Sequence, residues 1–522
     1  MKIKFYGAAK TVTGSFFVIE TKDIKFGVDC GLFQGSKEIK ERNYQDFIIN
    51  PKTLDFLILS HAHIDHSGLI PKLCKQGFTG PIYCSHATED LVSVMLPDSG
   101  YIQEMEVQRK NRKLKRAGKL LLEPIYTADD ARKCLAQFRS LSLDESIQVS
   151  DNIEMRLRDA GHILGSSIIE LWIEEEEKKT KIVFTGDLGN NNQPIVKDPT
   201  IIENADYVVV ESTYGNRLHK GNYSRVDNLI EVIDYTMQKG GNLIIPAFAV
   251  ERTQDLLYDL NHLYKKGQLN PNIDICVDSP LAIAATQIFQ KSIEYYDDST
   301  RQLLESGNHP LKTPNLKFTK TTEESMQLNN IEKNAIIISA SGMCEAGRIK
   351  HHLKHNLWRP ESTILFVGFQ AQGTLGRKIV DGEKLVRIHG ENVAVKADIF
   401  SLEAYSAHAD KAGILAWLKN FRVPPHAVFL VHGEENSQIA LADLIKSEIN
   451  TCVYIPDWLD EYELNTKDKI RPYDQNIDRA IEAEKLYLDI KLKLHNLYKS
   501  GWENSSYNEL IETLKKIDST IK

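Results

Sequence analysis

The run His61-Ala62-His63-Ile64-Asp65-His66 brings four metal-ligand side chains into six residues. Imidazole and carboxylate donors suit zinc, and at this density they predict a two-metal hydrolytic centre. The apolar run TLDFLILS before it reads as a buried strand, and SGLIPKLCKQG after it has helical spacing. The motif therefore occupies a strand-to-helix turn. Residues two apart in an extended segment face the same way, so His61 and His63 can share one cation while Asp65 and His66 turn toward a neighbouring one.

Two metals need more donors than one motif supplies, and three further strand ends offer them. His162 lies in a Gly-bracketed turn between the alternating runs IEMRLRD and SSIIELWI, Asp187 follows KIVFT, and His432 follows HAVFLV. The expected set is His61, His63 and His162 on one Zn²⁺, Asp65, His66 and His432 on the other, and Asp187 bridging. Two Zn²⁺ carry four positive charges and two aspartates remove two, so the site stays positive even after a hydroxide binds. That favours a phosphodiester, with a bridging water activated between metals about 3.5–4 Å apart. Histidine and aspartate also accept other metals, so manganese stays open.

The 522 residues, 42% hydrophobic and 26% charged, fit a globular protein of two or three domains. The N-terminal stretch has neither a signal-peptide core nor an Arg-rich transit pattern, and no apolar run has the length of a membrane span. The expectation is a cytoplasmic protein without a membrane partner. Seven scattered cysteines, never spaced as CxxC, read as reduced, buried and structural. A net charge of -8 leaves any polyanion to a local basic patch or to the metals.

The N-terminal GVDCGLFQG and then HAHIDHSG, AGHILGSS and FTGDLG resemble the successive motifs of the metallo-β-lactamase superfamily. VESTYG with Glu211, YSAHAD with His408 and LVHGEEN with His432 resemble motifs A, B and C of its β-CASP nucleases, and IPAFAVERTQDLL, VDSPLAIAATQIF and SASGMCEAGRIKHHLKHN match further stretches. The resemblance covers residues 1 to about 462. It implies an α/β fold, an αββα metallo-β-lactamase sandwich with an inserted doubly wound parallel-sheet β-CASP domain. It also implies a zinc-dependent RNA phosphodiester hydrolase, endo or exo, in which His408 protonates the leaving oxygen, with Glu211 holding His408 and Asp65 counted with them among the catalytic groups. Alone, His408 reads as a histidine near a helix start and Glu211 as a strand-end carboxylate facing water. His432 at motif C tilts the substrate from DNA toward RNA, single-stranded by expectation. A DNA-directed nuclease and a non-catalytic RNA-binding subunit are the alternatives.

The expected boundaries are 1–215 and 383–462 for the two parts of the sandwich, 216–382 for the insert and 463–522 for a helical extension. In the insert NLIIPAF, IDICVD, AIIISAS and TILFVGF alternate with helical runs, which predicts a doubly wound sheet. Such sheets bind ligands at the carboxyl ends of their strands. Ser341, Gly342 and Arg348, at the end of AIIISAS and the start of the next helical run, are candidates for an RNA phosphate at a helix N-terminus, the alternative being a plain helix cap. The insert is expected to form a lid over the zinc cleft. His351, His352 and His355 lack the acidic neighbour of a zincin and read as helix surface or groove lining. Arg109, Lys110, Arg112, Lys113, Lys115, Arg116 and Lys119 read as a solvated helix face, with an RNA-guiding role as the alternative. Residues 478–501 and 506–518 read as two amphipathic helices that pack on the core or make a homodimer contact.

Overall fold

The computed structural model describes residues 1–219, 225–368, 370–371, 373–464, 486, 490, 493–494, 497–498, 501 and 506–521. Two seven-stranded sheets face each other. The first contains Lys2–Phe5, Phe17–Glu20, Lys25–Val28, Phe56–Ile58 and Ile82–Ser85; the second contains Ile153–Asp159, Ser167–Glu175, Lys178–Phe184, Tyr207–Glu211 and Ala427–Val431. Side chains alternate along these strands, as a pleat requires. Tyr207 and Val209 point between the sheets, where Phe17 stacks on Phe184 at 5.9 Å and Phe5 meets Phe429 at 5.5 Å. Val208 and Val210 point the other way, under Trp417 of helix Lys411–Leu418 and Leu441 and Ile445 of helix Glu435–Glu448. Helices Ile70–Lys75 and His86–Arg116 cover the outer face of the first sheet. The result is the αββα sandwich expected.

Between Glu211 and His408 lies a third, six-stranded sheet in the order Leu316–Phe318, Asp274–Val277, Ala335–Ser339, Leu243–Pro246, Thr363–Phe366, Asp398–Ser401. All its pairings are parallel. Leu243 and Ile245 pack under Leu256 and Leu260 of helix Arg252–Lys265, whereas Ile244 faces Ile349 and Leu353 of helix Ile349–Asn356. Both faces are covered, so the insert is doubly wound. The strand Asp398–Ser401 pairs with Thr363–Phe366, so this sheet runs past the expected break at 382/383. The insert leans on the sandwich through helix Pro280–Lys291 against His86–Arg116, and a cleft of about 2950 Å³ opens between the two.

Of the two expected C-terminal helices, the second is present as Tyr507–Ile521, with Leu510 buried. The first, over 478–501, lies for the most part outside the described residues. Among the described residues no helix is long and apolar enough to cross a membrane. The cysteines are free, and Cys452, expected buried, is exposed at the start of a short strand.

Candidate metal centre and active site

The buried strand Phe56–Ile58 delivers the opening motif to the sandwich edge, where the chain turns into the one-turn helix Ile64–Ser67. Two neighbouring segments clamp that turn: Cys30 N–H donates to His66 O at 2.7 Å and Leu32 N–H to Ile64 O at 2.8 Å from one, and Ser15 N–H to Asp65 O at 2.9 Å from the other. A Cβ at Gly31 would fall 1.6 Å from the Asp65 carbonyl oxygen, so the clamp needs glycine there. Gly189 plays the same part between the His162 and Asp187 loops, where a Cβ would meet Gly161 O at 1.7 Å.

The seven expected donors converge. His61 Nε2 lies 3.2 Å from His63 Nδ1, and His162 Nε2 lies 3.1 Å from the same atom. Asp187 Oδ2 stands 3.5 Å from His61 Nε2 and from His162 Nε2. On the other side Asp187 Oδ1 is 3.3 Å from His66 Nε2, and His432 Nε2 is 3.4 Å from Asp65 Oδ2. Donors about 2.0–2.1 Å from a tetrahedral zinc stand roughly 3.3 Å apart, which is the spacing seen. Asp187 is buried, yet its Oδ1 accepts no hydrogen bond, and its two oxygens face the two donor sets. The residues fit a metal site.

Electrostatics agree for the first donor set, whereas burial on His66 is outweighed by the Asp187 and Asp29 carboxylates, which raise that ring well above its ordinary value. Burial, reinforced by the neighbouring histidines, lowers His61 and His162, and burial takes His63 down to about 3. These rings are therefore neutral at pH 7, as metal ligation requires. Burial would raise Asp187, but His432, His66 and His408 outweigh it and hold the carboxyl well below its ordinary range.

Asp29 is a site residue that sequence reasoning passed over. Its Oδ2 lies 2.7 Å from His66 Nδ1, and it accepts from Ser60 N–H at 2.8 Å and from the Ser60 hydroxyl at 2.9 Å. That grip fixes the His66 ring with Nε2 toward Asp187. Thr213 Oγ1, 3.0 Å from Nδ1, steadies His432 in the same way. The one available signal for Asp29 is its place in GVDCG, directly after the apolar run of the strand Lys25–Val28.

Glu211, expected to face water if read alone, is fully buried. Its Oε1 accepts from Leu188 N–H at 2.7 Å, and its oxygens lie 3.1 and 3.2 Å from His408 Nδ1. Burial opposes a charge on His408, but the Glu211 and Asp187 carboxylates raise it to about 9. His219 Nε2, 2.9 Å from the His408 carbonyl oxygen, holds the backbone of that residue.

Residues 10–246 match the family model of the metallo-beta-lactamase superfamily, 253–379 that of the Beta-Casp domain, and 392–456 that of the Zn-dependent metallo-hydrolase RNA specificity domain. Ribonuclease TTHA0252 of Thermus thermophilus is 35% identical over 445 residues, which is 85% of this chain and 96% of that protein. The chain belongs to the β-CASP family of the metallo-β-lactamase superfamily. It is a metal-dependent hydrolase by that membership. An RNase J-like protein of Methanocaldococcus jannaschii is 28% identical over 459 residues, 87% of this chain and 97% of that one. Transcription termination factor FttA of the same organism is 27% identical over 470 residues, 88% and 71%.

Within the β-CASP insert the phosphate candidates are placed differently from expectation. The helix after Ala335–Ser339 starts only at Ile349, so Gly342 is not at a helix N-terminus. The intervening loop satisfies itself: the Ser341 hydroxyl accepts from Glu345 N–H at 3.2 Å and donates to Ala346 O at 3.3 Å. Arg348 donates to Asp278 Oδ1 at 2.7 Å and to Thr319 O at 3.1 Å. His352, expected at a surface or groove, is buried with Nε2 2.6 Å from Asp278 Oδ2. His351 instead meets His389, ring centroids 4.5 Å apart. Lys110 and Lys119, from the basic run, line the cleft.

Proposed function

We propose that the chain is a ribonuclease that holds two Zn²⁺ and hydrolyses phosphodiesters of single-stranded RNA. The observation that carries this reading is Asp187, set between two donor groups and beside the His408–Glu211 pair. The RNA specificity match at 392–456 and the names of the relatives support RNA over DNA. His61, His63, His162 and Asp187 would hold one zinc; Asp65, His66, His432 and Asp187 the other. Zinc bound there supplies positive charge against a phosphate and lowers the pKa of water.

The chain's own residues do the rest. His408, whose charged form the Glu211 carboxylate favours, releases a proton to the leaving oxygen, a transfer worth about 10²–10⁴ in rate. Glu211 fixes Nδ1 of that ring, which leaves Nε2 for the substrate side. The cleft between insert and sandwich admits the strand. A phosphate reaching Ser341 and Arg348 would share Arg348 with Asp278. The reading includes a cytoplasmic location, where RNA is met, and a homodimer, which sedimentation of the full chain tests.

RNA labelled separately at each end, incubated with the protein with and without a chelator, tests the reading. Chelator-sensitive cleavage is expected, mononucleotides marking an exonuclease and internal fragments an endonuclease. Cleavage of DNA alone, or RNA binding without cleavage in protein shown to hold zinc, would replace it with one of the alternatives.

A further inference from the structure

We propose that Phe248 is a stacking shelf for one nucleobase of the bound strand, a substrate-positioning residue beside the metal centre; the proposal rests on the ribonuclease reading. Phe248 follows Leu243–Pro246, an inner strand of the insert, at the carboxyl end where parallel sheets bind ligands. Its neighbours Ala247, Ala249 and Val250 are buried, but the Phe248 side chain is 39% exposed and lines the cleft that His63, Asp187 and His408 also line. A single apolar side chain at a surface is ordinary; what sets this ring apart is its place in the cleft that the metal donors also line.

The ring is supported, not loose. The Phe248 carbonyl accepts from Thr253 N–H at 3.2 Å and from the Thr253 hydroxyl at 2.7 Å. A Cβ at Gly342 would stand 3.0 Å from Cδ2 and Cε2 and 3.2 Å from Cγ of the ring. Near-equal distances to three consecutive ring atoms mean that Gly342 lies over the ring face, not at its edge. Gly368 approaches the same side chain, a Cβ there standing 3.9 Å from Cε2. The buried amide of Gln370 donates to both glycine carbonyls, to Gly342 O at 2.9 Å and to Gly368 O at 3.1 Å, which ties the support together. One face of the ring thus rests on backbone without side chains, and the exposed part of the ring borders the cleft.

The shelf is anchored to the metal site. Glu251, one turn further on, accepts from Leu164 N–H at 3.0 Å, in the loop that carries His162. An aromatic ring with one backed face, in a cleft that binds a single strand, is suited to a base, and stacking of this kind accepts any base.

Single-stranded RNA carrying 2-aminopurine at one position at a time, bound to the full chain with its metal chelated, reads stacking as fluorescence quenching. Quenching confined to one position or two adjacent ones is expected with wild type, kept in Phe248→Tyr and lost in Phe248→Ala at saturating protein. Gly342→Ala, whose new methyl displaces the ring, should weaken it. In zinc-loaded enzyme an abasic nucleotide at that position should lower kcat/KM about 10-fold or more, the size of one base–aromatic stack, and should add nothing to the loss already present in Phe248→Ala. Quenching that persists in Phe248→Ala, an equal abasic penalty in both proteins, or cleavage by wild type with no position-dependent quenching would overturn the shelf and leave the ribonuclease reading standing. A wild type that neither binds nor cleaves RNA would overturn both.

Discussion

Nδ1 of His408 lies 3.1 Å from Oε1 of Glu211, and the same carboxylate oxygen accepts the Leu188 N–H. Glu211 is therefore fixed from the backbone side before it fixes the imidazole. His408→Ala should keep its zinc, measured by elemental analysis, and lose about 10²–10⁴ in single-turnover cleavage. Glu211→Gln should lose a smaller factor, and the double variant should be no slower than His408→Ala, because residues acting as a unit are not additive. Native-rate cleavage by His408→Ala would remove it from the mechanism.

Asp187 is the carboxylate whose two oxygens face both donor sets. Asp187→Ala is expected to lower the zinc content of the purified protein and to abolish cleavage together. Full zinc occupancy in that variant would show that the bridging position is elsewhere.

Asp29 touches no substrate but orients His66 through a 2.7 Å contact. Its backbone is left-handed, φ +58, a conformation that asparagine also adopts, so Asp29→Asn changes the acceptor without straining the turn. Metal affinity should fall about 10–100-fold, read by competition with a chelator, with a thermal midpoint near wild type once zinc is saturating. An unchanged affinity would mean that Ser60 alone holds His66.

Asp278 gathers His352, Thr319, Ser325 and Arg348. Burial alone would raise its pKa, but these hydrogen bonds outweigh burial and hold the carboxyl well below its ordinary value of 3.8. A depressed carboxylate stabilises the fold above its unfolded pKa, and the contribution is lost as pH falls toward the folded value. Asp278→Asn should cost about 3 kcal/mol at neutral pH, and the gap to wild type should narrow as the pH is taken from about 5 to about 2. Denaturant unfolding across that range is the measurement, and a gap that widens in acid would contradict the assignment.

The sequence showed its chemistry where donors stand at the ends of apolar strands, because a strand end is a fixed place in space. His61, His63, Asp65, His66, His162, Asp187 and His432 were all found that way. Asp29 was not, since a lone carboxylate in a glycine-rich turn looks like turn chemistry. His352 shows the opposite limit: helical spacing places it one position from His351 but does not say that Asp278 waits on the inner side. The helix start was read too early because Ser341 and Gly342 look like a cap, whereas the loop spends that hydroxyl on itself. Phe248 was silent for a simpler reason. An aromatic after an apolar strand reads as core, and only its exposure to the cleft shows otherwise.

His432 and Asp65 meet across 367 positions of chain. During synthesis the first five histidine and aspartate donors, and then Asp187, leave the ribosome long before His432, which has to wait for the whole insert and for Ala427–Val431 to dock beside Tyr207–Glu211. A nascent or prematurely released chain therefore lacks the donor that completes the second group.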